Sequence, residues 1–182
     1  AAEIQDRLPA QARMLDSIAE QVITGLNSGA RRDLVLDQVA LPPDLAQRPD
    51  ARELYVSARD IGNMVVSQYS GWWDDVPSHW HPAPLAKQAT ELARLAGGVR
   101  QLIARALIVA DEDPALACQL ADWAWFAAPD DAEVVQGAMA VYAKRVSRLL
   151  PTQEALVYAE HMSKLQLKLT ELAAAKTAAT PR

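Results

Sequence analysis

The chain has 182 residues, one cysteine, and 18 Lys+Arg against 23 Asp+Glu, a formal charge of −5 at pH 7. One cysteine excludes an internal disulfide framework, and scattered basic residues in an acidic chain offer no stripe for neutralising phosphates, so no nucleic-acid partner is expected. No apolar run approaches the ~20 residues needed to span a bilayer, and Ala1 to Pro9 lack the basic-then-apolar profile of a signal peptide.

Alanine (35) and leucine (22) far outnumber glycine (7), and only 10 residues are aromatic. That balance favours helix over strand, because alanine and leucine lose little entropy in a helix. The expected fold is all-α, a bundle of about seven to eight helices large enough to carry its own core. The start at Ala1, without methionine, suggests a processed end or a cut within a longer chain.

In the first segment Leu15, Ile18, Val22 and Leu26 recur at spacings of three and four and mark one helix face. Asn27-Ser28-Gly29 stops it. A short helix is expected over 31–39, closed by Leu41-Pro42-Pro43 because a residue before proline is pushed out of the α region. Asp50 reads as the N-cap of a third helix, with Leu54, Ala58, Ile61, Val65 and Gln68 on its stripe and Tyr69 near its end.

Residues 70–84 break the helical pattern with three of the five tryptophans, two of the three histidines and three prolines. Large aromatics in a proline-rich loop favour a packed, ordered loop, since burying each ring removes roughly 150–250 Å² from water. Trp72 and Trp73 are expected to pin the loop to the helices, with Asp74 as an acceptor or cap; the alternative is that the rings are simply core.

The helical period resumes at Leu85, Leu92 and Leu95 and stops at Gly97-Gly98. A helix through Leu102, Ala106 and Val109 leads into Asp111-Glu112-Asp113-Pro114, where Asp113 caps and Pro114 takes the first helical position. The next runs through Ala117, Leu120, Ala121 and Ala124 to Ala128-Pro129. Ala117, Ala124 and Pro129 have the small-small-proline spacing of a tetratricopeptide-like hairpin, in one copy only, which excludes a free-standing repeat array. Helices over 132–149 and 151–174 complete the reading. The last carries a stripe of Leu156, Ala159, Met162, Leu165, Leu169 and Leu172 beside Lys164, Lys168 and Lys176, and either closes the core or meets another subunit. The expected organisation is one domain over 1–176, with helices over 1–69, the aromatic loop over 70–84, repeat-like helices over 85–176 and a disordered tail at 177–182.

Chemistry is sparse. His79-Trp80-His81 is the one metal-like pair, and His161 lies far along the chain, short of the three ligands that zinc catalysis needs. Cys118, among alanines and leucines, reads as a buried structural thiol. Asp111, Glu112 and Asp113 read as a solvated turn. No nucleophile elbow, phosphate loop or dinucleotide fingerprint is present, so no catalytic residue, metal ligand or cofactor is assigned within the chain.

The order Leu41-Pro42-Pro43-Asp44-Leu45-Ala46, Arg52-Glu53-Leu54-Tyr55, Tyr69-Ser70-Gly71-Trp72-Trp73-Asp74, Pro77, His81-Pro82, Pro84 and Leu95-Ala96-Gly97-Gly98 resembles the helical dimerisation domain of the metallo-β-lactamase-fold alkyl sulfatases. The match covers most of residues 15–131. The resemblance implies a homodimerisation domain that walls part of the substrate entrance and is itself inactive. It implies a separate metallo-β-lactamase-fold domain as second partner, holding two zinc ions through a His-x-His-x-Asp-His motif and hydrolysing sulfuric esters; a sterol-carrier-like domain often follows. Tyr69, Gly71, Trp72, Trp73, Asp74, Pro77, His81 and Pro82 then form the loop that meets an interface or pocket. His81 either reaches a neighbouring catalytic pocket or is hydrogen-bonded within its proline turn.

Two departures stand out. Asp75-Val76 replaces the family's Gly-Asn pair, where a turn would draw on glycine's positive φ. Asp60-Ile61 replaces a His-Asn pair, and a carboxylate near an anionic sulfate is unfavourable, pointing to a diverged member with another substrate. The competing reading is a free-standing helical scaffold that binds a protein or lipid-like ligand through Trp72, Trp73 and Trp80. An upstream His-x-His-x-Asp-His segment in the reading frame decides between them.

Overall fold

Ala-, Leu- and Val-rich stretches of about one to seven turns, separated by prolines, glycines and acidic caps, fold into nine α-helices among the described residues, with no β-strand. The computed structural model describes residues 2–178. The helices are α1 (Ala2–Asn27), α2 (Arg32–Gln38), α3 (Pro43–Ala46), α4 (Ala58–Ser70), α5 (Leu85–Leu95), α6 (Val99–Val109), α7 (Pro114–Ala127), α8 (Ala132–Val146) and α9 (Thr152–Ala178). Single 3₁₀ turns occupy Pro49–Ala51 and Pro77–His79. The all-α expectation holds. The chain divides into two compact units: residues up to Pro82 together with Pro151–Gln153, and Ala83–Leu150 together with Glu154 onward.

In the first unit α1, α2 and α4 close on Val22, Val35 and Val66, packed with Leu26, Leu36, Val39 and Val65. Ile18, Val22 and Val66 are completely buried, each side chain contributing roughly 1.5–3 kcal/mol by leaving water. Leu15, expected on the same buried stripe, is 48% exposed. The start of α4 differs from the sequence expectation. Asp50 lies in the 3₁₀ turn, where its carboxylate accepts from Arg48 at 3.0 and 2.9 Å. The N-cap is Ser57: its hydroxyl accepts the Asp60 N–H at 3.0 Å while the Asp60 carboxylate accepts the Ser57 N–H at 2.8 Å. This reciprocal capping box satisfies two helix-start donors at once, which a lone upstream aspartate cannot do. Pro151–Gln153 join this unit through Thr152 N–H donating to the Leu54 carbonyl at 2.8 Å and Gln153 N–H to that of Tyr55 at 3.0 Å.

In the second unit α5 to α9 surround a core of Leu102, Ile103, Ala106, Val134, Val135, Val141, Tyr142 and Leu165. Gly97 and Gly98, at φ +88° and +128°, stop α5 as expected, and the Gly98 N–H closes onto the Ala93 carbonyl at 2.7 Å. Asp113 accepts the Leu116 N–H at 2.9 Å, with Pro114 at the first turn of α7. Asp131 caps α8 in the same way. Ala117, Ala121 and Ala124 are completely buried, and these small side chains let α7 lie close to its neighbours. On α9, Leu165 is buried and Met162 and Leu169 pack against the core, while Leu156 is 60% exposed. Thr177 and Ala178 form the last turn of α9; the rest of the expected tail, 179–182, lies outside the described residues.

Candidate functional site

The 71–82 loop starts where α4 ends. Gly71 takes φ +66° and ψ −148°, a conformation that a side chain would strain, and the chain turns away from the helix axis there. Arg32, at the start of α2, donates from its Nη2 to the Gly71 carbonyl at 2.9 Å and to the Trp73 carbonyl. This brace ties the loop to α2 across about forty positions of sequence. Nothing in the spacing of the sequence singles out Arg32, because an arginine near a helix start is unremarkable until a distant loop presents carbonyls to it.

Three indoles meet in the loop. Trp72 and Trp80 have ring centroids 5.0 Å apart, Trp73 and Trp80 5.3 Å, and Trp72 and Trp73 5.9 Å, at interplanar angles of 49°, 72° and 73°. These are the tilted and edge-to-face arrangements that ring quadrupoles prefer. Order comes from ring on ring: Trp73 is half-buried, but Trp72 is 65% and Trp80 56% exposed. Tyr69, on the last turn of α4, is 64% exposed.

Asp74 organises the next turn. Its Oδ1 accepts the Val76 N–H at 3.2 Å, and its Oδ2 lies 2.6 Å from Nδ1 of His79. The bond with His79 holds the Asp74 carboxyl below the usual carboxylate range. The histidine engaged is thus His79, while His81, Pro77 and Pro82 are exposed. Asp75 has φ +65°, in the left-handed region that favours glycine and that aspartate tolerates.

The remaining sequence candidates lie away from the loop. Asp60 is consumed by the capping box, its Oδ2 also accepting from the Ser57 hydroxyl at 2.7 Å. Ile61 lines a cleft of about 180 Å³ with Met14, Leu41, Tyr55 and Val56. Ala117 and Ala124 are buried in the second unit, and Pro129 is exposed beyond the end of α7. Cys118 is buried, and burial pushes its thiol up. Asp111 is an ion-pair partner of Lys144 at 2.9 Å. Among the described residues no three His, Cys, Asp or Glu side chains converge on a metal position, and no helix is long and apolar enough to cross a membrane. The loop offers an aromatic platform and a carboxylate–histidine pair, a surface for contact.

Residues 32–167 match the family model described as alkyl sulfatase dimerisation. A linear primary-alkylsulfatase of Pseudomonas sp. (strain ATCC 19151) is 33% identical over 82 residues, 44% of this chain and 16% of that protein. A solved structure of a double mutant of the sec-alkyl sulfatase PisA1 superimposes with a TM-score of 0.80 at 19% identity, over 87% of this chain and 25% of that one. The chain thus spans a sixth to a quarter of the length of these relatives.

Proposed function

The chain belongs to the alkyl sulfatase dimerisation family, and from that premise we propose that it pairs with a second copy of itself and walls the substrate entrance of a sulfuric-ester hydrolase. The observation that carries this reading is the family match over 32–167, which runs through the aromatic loop. The loop's exposure supports it: Tyr69, Trp72 and Trp80 present large aromatic surface, the residue type enriched at the centres of protein interfaces. In this reading hydrolysis and two zinc ions belong to a metallo-β-lactamase-fold catalytic domain. The described residues do not fit such a centre, since no third ligand approaches His79 and Asp74, whose Oδ2 already meets the imidazole Nδ1.

Sedimentation equilibrium tests the first part: the chain is expected to dimerise, and a strict monomer at the highest attainable concentration overturns the self-association. Incubation with an alkyl sulfate and zinc tests the second: no sulfate release is expected, and clear turnover overturns the assignment of catalysis to another domain.

A further inference from the structure

The second unit holds a cleft of about 360 Å³ between α7, α8 and α9. Its walls are aromatic: Phe126, Tyr142, Tyr158 and His161 line it, with ring centroids 5.7 Å apart for Tyr142–Tyr158 and 5.5 Å for Tyr142–His161. Asp122 contributes a half-buried carboxylate. Its Oδ1 accepts the Tyr142 hydroxyl at 2.5 Å, and among the described residues Tyr142 is its one hydrogen-bond partner and no ion pair reaches it. Lys164, also on the wall, is matched by Glu160 at 2.7 Å, so its charge is already answered on its own helix.

Three physical facts converge on one ligand chemistry. A carboxylate withdrawn from water is costly until a cation or further donors reach it. Aromatic faces carry the negative lobe of the ring quadrupole and attract cations, most strongly where water is scarce. The volume lies at the small end of the range for ligand pockets. We propose that this cleft is a binding site for a small organic ammonium ion, seated against the aromatic rings with its charge towards Asp122. Burial pushes the Asp122 carboxyl up, and the Tyr142 hydroxyl and His161 offset this only in part. An anionic ligand is disfavoured, because it would face Asp122 and Glu160, and of the two basic side chains on the wall, Lys164 and His161, Lys164 is already paired with Glu160. The site draws all its residues from the second unit, and its test is independent of whether the chain dimerises.

The experiment uses the full 182-residue chain, labelled with ¹⁵N and titrated with tetramethylammonium chloride, with sodium chloride and sodium methyl sulfate in parallel. Saturable amide shifts are expected at Asp122, Phe126, Tyr142 and His161 with the ammonium salt alone. Asp122→Asn keeps an acceptor for Tyr142 and should raise the half-saturation concentration about tenfold. Phe126→Leu keeps every charge and should also weaken binding severalfold, which decides the matter if circular dichroism shows Asp122→Asn to be unfolded. Shifts no larger than those with sodium chloride overturn the proposal, as does a folded Asp122→Asn with unchanged half-saturation, or stronger binding of methyl sulfate than of the cation.

Discussion

At Asp75 the backbone conformation and the residue type disagree. A φ of +65° suits glycine, tolerates aspartate and costs roughly 1 kcal/mol for a residue with a Cβ. Asp75→Gly relieves that cost but loosens the unfolded chain, so a net stabilisation of ~0.5 kcal/mol is expected in urea unfolding. Asp74 makes the complementary case. Its carboxyl is held below the usual range first by the bond with His79, despite an opposing desolvation contribution. A depressed carboxyl contributes stability above its unfolded value and loses it as the pH falls through its folded one. His79→Ala should therefore raise the Asp74 titration midpoint towards its ordinary value, followed by ¹³C carboxyl shifts in NMR. An unchanged midpoint would show that the backbone N–H groups, rather than the imidazole, set it. Both residues were legible as a turn in the sequence, but which of His79 and His81 answers Asp74 was not: they lie two positions apart, and only the 3₁₀ turn at Pro77–His79 decides between them.

Helix limits fall where local chemistry dictates: Gly97-Gly98 ends α5 and Asp113-Pro114 opens α7, and both were readable because a cap or a positive-φ glycine acts within one turn. The start of α4 was misread because Asp50 and Ser57 both resemble caps and each has an acidic residue three positions on, Glu53 and Asp60; the 3₁₀ turn at Pro49–Ala51, which takes up Asp50, decides for Ser57. Ser57→Ala should cost about 1 kcal/mol in thermal unfolding monitored by circular dichroism. A loss below a few tenths would show the capping box to be dispensable. Contacts between helices impose a second kind of constraint. A Cβ on Gly137 of α8 would lie 2.5 Å from Cγ1 of Ile103 on α6, well inside van der Waals contact. The gain in helix propensity from Gly137→Ala, under ~1 kcal/mol, is outweighed by overpacking of ~1–3 kcal/mol, and net destabilisation is expected in the same unfolding assay.

At the scale of the whole molecule, folding and self-association place different demands on the same aromatic residues. Trp72 and Trp80 are more than half exposed, so replacing both by alanine removes little that folding depends on. If they sit at the centre of a dimer contact, the double variant should raise the dimer dissociation constant by about 100-fold or more in sedimentation, with the unfolding midpoint of dilute protein little changed. An unaltered dimer would move the interface elsewhere on the chain. The amino-acid sequence by itself determined the all-α class, most helix limits and the family, because composition, caps and ordered motifs act locally along the chain. Only the tertiary structure decided that Arg32 braces the loop, that the indoles pack on one another instead of entering a core, and that Asp122 lies among four aromatic side chains. Each of these pairs groups that are remote in sequence or turns a side chain towards or away from water, and burial and long-range contact are properties of the folded arrangement that no local pattern encodes.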